Sequence, residues 1–391
     1  MKADRVLSRI LLISGLVCSV AACATTDAGS RAVGAGIQDS SSRLASLEYQ
    51  SNKFEDDVRL SGGRIKDPGL ITYVDSLVQK AAGEYAGELR VYLIEAPVFN
   101  AFMLPNGAMA VYSGLMLRAD SEAELFAVLG HEFGHYVEQH SLERVNRAEN
   151  TNNAMTFVNV ATLGYASPLV LLAGVGDYFS FSREQESEAD LIGFDRMVEA
   201  GYVAEAASRI WSNLQAEEQA SSNKKRRKRG NRSRSALFDS HPTPQLRLDA
   251  LREKANGLRN RSQKDNAAAY RARIRPFLLD WYTVELQMRD YGAILNLLER
   301  KRSFDEDLGV LDYVEGRVYM LRNNEGDHAN AIRVWKRGAE RPDAPPVLYR
   351  DLGDLYQKLG REDEARQAFQ SYLEAAPDAP DAALVRSMMK T

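Results

Sequence analysis

Apolar positions along this chain change period several times, and each change predicts an element. A three-to-four-residue period begins near Ser46. Leu70, Ile71, Val74, Leu77 and Val78 share one face of a second predicted helix, Pro68–Ala82. Leu89–Ile94 alternates and is rich in strand formers, which predicts a β-strand. Ala101–Tyr112 predicts one or two more, broken at Pro105-Asn106-Gly107, a turn signal. Ser121–His140 reads as one helix opened by Ser-Glu-Ala-Glu. Ser182, with Gln185 three residues on, opens another through a capping box. Between them Ala154–Gly176 runs about 23 residues without a charge. From about Arg271 the pattern is almost wholly helical. The predicted fold class is mainly α (α+β), a small sheet with helices around and after it.

The C-terminal helices repeat. Tyr349, Leu352, Gly353, Tyr356, Gly360, Ala365, Phe369 and Pro377 match the tetratricopeptide pattern of about 34 residues. An earlier copy has Gly316, Tyr319, Ala331, Trp335 and Pro342, with its turn lengthened by about three residues around Asn323–Asp327. A degenerate third copy falls at Trp281–Leu298. Small and large residues alternate because each helical hairpin buries its face only against its neighbours. The concave side of such a stack is expected to bind peptides or proteins; the rival is a packing extension of the preceding domain.

At 391 residues the chain has room for two or three domains, and a formal charge of −4 does not point to nucleic acid. Residues 1–22 read as an export signal, with Lys2, Arg5 and Arg9 ahead of a short apolar core, Ile10–Val20. Val20-Ala21-Ala22-Cys23 resembles the bacterial lipobox, after which Cys23 would become the acylated first residue. An ordinary signal peptide cleaved near Ala22, or an uncleaved anchor, is the rival. Losing residues 1–22 would also remove Cys18, leaving one cysteine and no disulfide, which suits an oxidising compartment. Ala24 after the cysteine points, by sorting convention, to the outer membrane. Residues 23–45, rich in Ala, Ser, Gly, Thr and Asp, are expected to be a flexible lipidated tether. The expected location is therefore the periplasm, anchored to the outer membrane.

Candidate chemistry centres on His131-Glu132-Phe133-Gly134-His135, an H-E-x-x-H sequence. On a helix, residues four apart share a face, so His131 and His135 can offer two imidazoles to one metal. Glu132 can reach a water on that metal. Zinc lowers the pKa of water to about 7, after which a carboxylate suffices as general base for attack on a peptide carbonyl. The acidic stretch after Ser182 would ordinarily be a solvated face, but about 50 residues downstream of a two-histidine helix it can supply further ligands. Glu186 and Asp190 are four apart, and one can bind the metal while the other orients a ligating histidine. The uncharged Ala154–Gly176 would run roughly 35 Å as a helix, long enough to cross a bilayer. One crossing would put Glu186 on the far side from His131 and His135, and there is no room for two. Asn159, Pro168 and several glycines also weaken a span, so a buried or membrane-facing helical hairpin near the site is expected.

Asn223–Ser235 holds eight basic residues from Lys224 to Arg234. Such runs are usually solvated and irregular; contact with anionic headgroups or an acidic partner is the functional rival. The run leads into Ser240-His241-Pro242, which places His241 at the end of a loop.

Residues 46–256 resemble the zinc metallopeptidase family of the CAAX prenyl proteases and the beta-barrel assembly-enhancing proteases. The resemblance rests on Asn100-Ala101-Phe102, His131-Glu132-x-x-His135, Ser182-Arg183-x-x-Glu186-x-Glu188-Ala189-Asp190, and His241-Pro242 with Arg247. It implies a gluzincin-like fold in which Glu186, rather than Glu184 or Glu188, is the third zinc ligand. It makes Asp190 the partner of a zinc histidine. His241 takes one of two roles, a transition-state stabiliser or an inhibitory fourth ligand that substrate or a partner displaces. Asn100-Ala101-Phe102 is expected at a sheet edge where an extended peptide can add, though core packing explains Phe102 just as well. The lipid anchor and the basic insertion depart from the family pattern.

The expected organisation is a signal at 1–22, a tether at 23–45, a metallopeptidase domain at 46–256 with a basic loop at 223–235, a helical linker at 257–275 and repeats at 276–391. The expected function is a zinc endopeptidase of the cell envelope. Glu132 and His241 are its catalytic residues, its substrates are proteins such as outer-membrane proteins, and its repeats meet substrate or an assembly partner. The alternative is a chaperone or assembly adaptor that works through the repeats with a dormant protease.

Overall fold

The computed structural model describes residues 35–141, 143, 181–221, 245–258 and 264–389, with the backbone alone for 35–44, 46, 47 and 50. Cys23, Ala154–Gly176, the basic run and His241 lie outside the described residues. The described residues from Ala45 onward form one compact unit.

Helix α1, Ala35–Leu60, begins well before Ser46, where the sequence predicted a tether. Between Gly36 and Leu60 there is no glycine or proline, so nothing in the chain stops a helix once it has nucleated. In α2, Pro68–Ala82, Asp67 caps the first turn by accepting from the Leu70 amide at 2.7 Å, and Pro68 fills a position that needs no amide donor. Leu70, Val74, Leu77 and Val78 are buried, each worth about 1.5–3 kcal/mol of apolar transfer, while Ile71 is only half-buried.

Three strands follow: β1, Arg90–Ile94; β2, Ala101–Met103; and β3, Ala108–Tyr112. Their order is β1-β3-β2. β3 pairs parallel to β1, with Val91 opposite Met109, and antiparallel to β2, with Phe102 opposite Ala110. The hairpin between β2 and β3 turns through Pro105-Asn106-Gly107, as the turn signal predicted, and the Gly107 amide donates to Leu104 O at 2.9 Å. The outer side of β1 is taken by residues 63–65, whose Ile65 amide donates to Leu93 O. That leaves β2, which carries Ala101 and Phe102, as an edge strand, although its side chains face into the core.

After α3, Ser113–Arg118, helix α4 spans Glu122–Val137, capped by the Ser121 hydroxyl. It stops three residues short of the predicted His140. Gln139 takes a left-handed backbone, φ +55°, which breaks the helical ladder, so His140 does not lie on the same helix. Next come α5, Arg183–Glu199, with the predicted Ser182–Gln185 capping box fully formed, α6, Ala206–Ala220, and α7, Gln245–Asn256. Helix α8, Ala267–Ile274, falls in the segment read as a linker. Its Tyr270 is fully buried and donates to Met116 O at 2.6 Å, because an apolar ring with one polar tip is satisfied only against the core.

The remaining helices pair as hairpins: α9, Leu278–Leu286, with α10, Tyr291–Arg302; α11, Leu308–Arg322, with α12, Asp327–Ala339; and α13, Pro346–Lys358, with α14, Glu362–Ala375. A short α15, Ala382–Met388, packs on α14. In the second hairpin a Cβ at Gly316 would come within 2.0 Å of the Trp335 indole, so only glycine lets those helices meet. Gly353 and the Phe369 ring repeat the arrangement in the third. Among the described residues no helix is long and apolar enough to cross a membrane.

Candidate active site

Helices α4 and α5 cross through small residues. A Cβ on Gly134 would lie 2.8 Å from Ala189 Cα, and one on Gly193 would lie 2.7 Å from the His131 amide nitrogen. Backbones this close bring the first turns of α5 against the His131/His135 face of α4. The two histidine Nε2 atoms stand 3.2 Å apart. Glu186 Oε2 is 3.5 Å from Nε2 of His131, and its Oε1 is 3.6 Å from Nε2 of His135. Ligands at about 2.0–2.1 Å on a tetrahedron around zinc are about 3.3–3.4 Å from one another. Two imidazole nitrogens and a carboxylate at 3.2–3.6 Å therefore fit a zinc ion with no rearrangement. All three side chains are buried, which keeps competing water from the donors.

The same crossing separates the two acids that sequence left interchangeable. Asp190, one turn further along α5, faces the other ring nitrogen of His131, with Oδ1 3.0 Å from Nδ1. Arg247 of α7 donates to both Asp190 oxygens at 2.6 and 2.7 Å and reaches Glu186 Oε2 at 2.5 Å. Burial alone would raise the Asp190 carboxyl. Hydrogen bonds and charge from Arg247 and His131 more than offset it and hold the group at about 2. Asp190 is thus a permanent anion that fixes the His131 proton on Nδ1 and leaves Nε2 to the metal.

Glu132 lies beside this cluster and is 2% exposed. Burial pushes its carboxyl up to about 8; the Glu186 charge adds to this, and His131 and Arg247 oppose it. A cation held by the adjacent ligand cluster would oppose this rise and favour the carboxylate form of Glu132. Phe181 stacks on the His135 ring, centroids 3.9 Å apart and planes 19° from parallel, and Trp211 meets the His131 ring edge-on at 6.3 Å.

Residues 65–255 match peptidase family M48. They make up a peptidase M48 domain, just under half of the chain. The M48 segment holds His131, Glu132, His135, Glu186, Asp190 and Arg247, and residues 323–390 match the tetratricopeptide repeat, which covers α12 to α15. The chain is 26% identical over 359 residues to the beta-barrel assembly-enhancing protease of Escherichia coli O157:H7, covering 81% of this chain and 70% of that protein. It is 31% identical over 165 residues to the mitochondrial metalloendopeptidase OMA1 of Schizosaccharomyces pombe, covering 42% and 45%. It is 33% identical over 162 residues to the metalloprotease YcaL of Escherichia coli K12, covering 40% and 58%. The chain thus spans about half the length of some relatives and more than two thirds of another.

The M48 segment gathers every metal and general-base residue expected from sequence; His241 and Cys23 fall outside the described residues. Sequence reading missed Phe181 and His140, both packed on His135. The signal was present for His140, a third histidine five positions beyond His135, but the extended helix predicted for Ser121–His140 pointed it elsewhere.

Proposed function

We propose that this M48 protein is a zinc-dependent endopeptidase of the bacterial cell envelope. In this reading it is a lipoprotein held at the outer membrane through Cys23 and acts in quality control or assembly of outer-membrane proteins. The observation that carries the peptidase reading is the convergence of His131 Nε2, His135 Nε2 and a Glu186 oxygen at tetrahedral spacing. Zinc held by those three would supply a Lewis acid that acidifies water and polarises a peptide carbonyl. Asp190 and Arg247 hold the ligands in place. Glu132 takes a proton from the attacking water and returns it to the departing amine nitrogen. The edge strand β2 offers backbone groups along which an extended substrate can lie, and the hairpins from α9 onward recruit substrate or an assembly partner. Similarity to the assembly-enhancing protease over most of the chain supports the substrate class, and the signal-like N-terminus supports the location.

Glu132→Gln tests the chemistry. It should bind zinc at wild-type stoichiometry and lose at least about a thousandfold in casein cleavage; a variant that still cleaves well removes Glu132 as the base. His241→Ala separates the two roles of that residue: faster cleavage marks an inhibitory ligand, slower cleavage a catalytic group.

A further inference from the structure

Behind His135 a second chain of side chains runs outward. Because Gln139 turns the backbone at the end of α4, His140 folds back onto the helix and is 2% exposed. Its Nδ1 stands 2.9 Å from Nδ1 of His135, and its Nε2 stands 3.3 Å from Glu188 Oε2 on α5. The Glu188 side chain is 54% exposed, so the chain ends in solvent. Phe181 lies flat on the opposite member, His135.

Two ring nitrogens at this distance hydrogen-bond only when one carries a proton and the other does not. His135 turns Nε2 toward His131 Nε2 and Glu186, and a ligating nitrogen carries no proton. The neutral ring therefore keeps its proton on Nδ1 and donates to Nδ1 of His140. His140 must then carry its own proton on Nε2, which donates to the Glu188 carboxylate. One arrangement of protons satisfies the whole chain, and it runs from the metal face to the surface.

We propose that His140 and Glu188 are positioning residues for the ligand His135, doing for that ring what Asp190 and Arg247 do for His131. The proposal rests on the zinc reading. His140 accepts the Nδ1 proton and so selects the tautomer with Nε2 free. Together with the Phe181 stack it fixes the ring's rotation, and Glu188 draws the shared proton outward, making His135 Nε2 a better donor to a metal. The two ligating histidines are thus held by unlike partners, one by a buried ion pair, the other by a neutral imidazole wired to a solvent-facing acid.

The test is zinc affinity of the full-length, metal-stripped protein by competition with a chromophoric chelator, alongside the melting temperature of the metal-free form and the visible spectrum of the cobalt-loaded form. His140→Ala should weaken zinc binding about 10–100-fold and change the cobalt spectrum. His140→Asn, whose side-chain oxygen can accept from His135 Nδ1 while its amide donates toward Glu188, should recover most of that loss. Glu188→Gln should give a smaller loss, because its partner is screened by water. Wild-type affinity and spectrum in His140→Ala overturn the proposal. So does an equal loss in the Asn and Ala variants, which would make His140 a volume filler. If His140→Ala fails to fold, Glu188→Gln and His140→Asn decide alone, a loss in the first with retention in the second supporting the relay and any other pattern overturning it. Failure of the wild type to bind one zinc sinks the zinc reading and is read separately.

Discussion

At the scale of single residues the site is governed by which nitrogen of each histidine faces inward, and Asp190 sets that for His131. Its folded pKa of about 2 lies below the unfolded value of about 3.9. The depressed group therefore stabilises the fold fully above pH 4, and the contribution, about 2 kcal/mol by linkage, is lost as pH falls through 4 toward 2. Metal-free Asp190→Asn should be less stable than wild type at pH 7, with a shallower loss between pH 5 and pH 2. Parallel melting curves against pH would show that Arg247 and Asp190 carry no such linkage. Gln139 is a second residue with a measurable signature. A non-glycine at φ +55° costs roughly 1 kcal/mol, so Gln139→Gly should raise the melting temperature slightly while leaving zinc affinity unchanged. A fall in stability would mean the Gln139 side chain is needed for more than the turn.

At the scale of elements, the crossing of α4 and α5 decides whether three ligands meet. A methyl at position 134 would sit 2.8 Å from Ala189 Cα, where neither backbone can yield. Gly134→Ala should cost about 1–3 kcal/mol by forcing the helices apart, and should weaken zinc binding with all three ligands intact. Unchanged zinc affinity would show that the crossing is softer than its distances imply. This crossing was half legible in the sequence. The capping box at Ser182 and the four-residue spacings of His131/His135 and Glu186/Asp190 follow from local rules, and local rules hold inside a regular helix. The small residues at 130, 134, 189 and 193 could be seen but not paired, since nothing local says which faces touch. The places where reading failed have the same origin. Nothing marks glutamine as a left-handed cap, so the helical pattern predicts α4 through to His140. The Ser-rich stretch before Ser46 has the composition of a tether, although from Ile37 onward it contains no glycine or proline to stop a helix. In the repeats the reading did better, because a tetratricopeptide hairpin packs on its own neighbour in sequence, and Gly316 meets Trp335 as the pattern required.

At the scale of the whole molecule, the M48 segment and the α9–α10 hairpin, which precedes the matched repeats, share a buried ionic seam. Arg118 of α3 pairs with Glu217 of α6 at 2.8 Å and with Glu285 of α9 at 2.9 Å. Arg300 of α10 pairs with Glu217 at 2.9 Å and with Asp120, and Lys301 reaches Asp120 at 2.7 Å. All but Arg300 are under about a tenth exposed, and taking away one partner of a buried pair costs about 3–5 kcal/mol. Glu285→Ala, in α9, should lower the melting temperature of the whole unit in a single transition and destabilise the M48 segment with it. Two separated transitions would mean the seam does not couple them. The seam also has a consequence in time. Glu285 follows Arg118 by 167 residues, on the order of 10 s of translation at ~5–20 residues per second. Until the end of that interval Arg118 has gained only Glu217, so the second of its two buried counter-ions is still missing from the core. A chain made from its N-terminus therefore holds His131, His135 and Glu186 before the seam at Arg118 can be completed. Closure of that seam therefore waits on α9 and α10, which are made after every residue of the M48 segment.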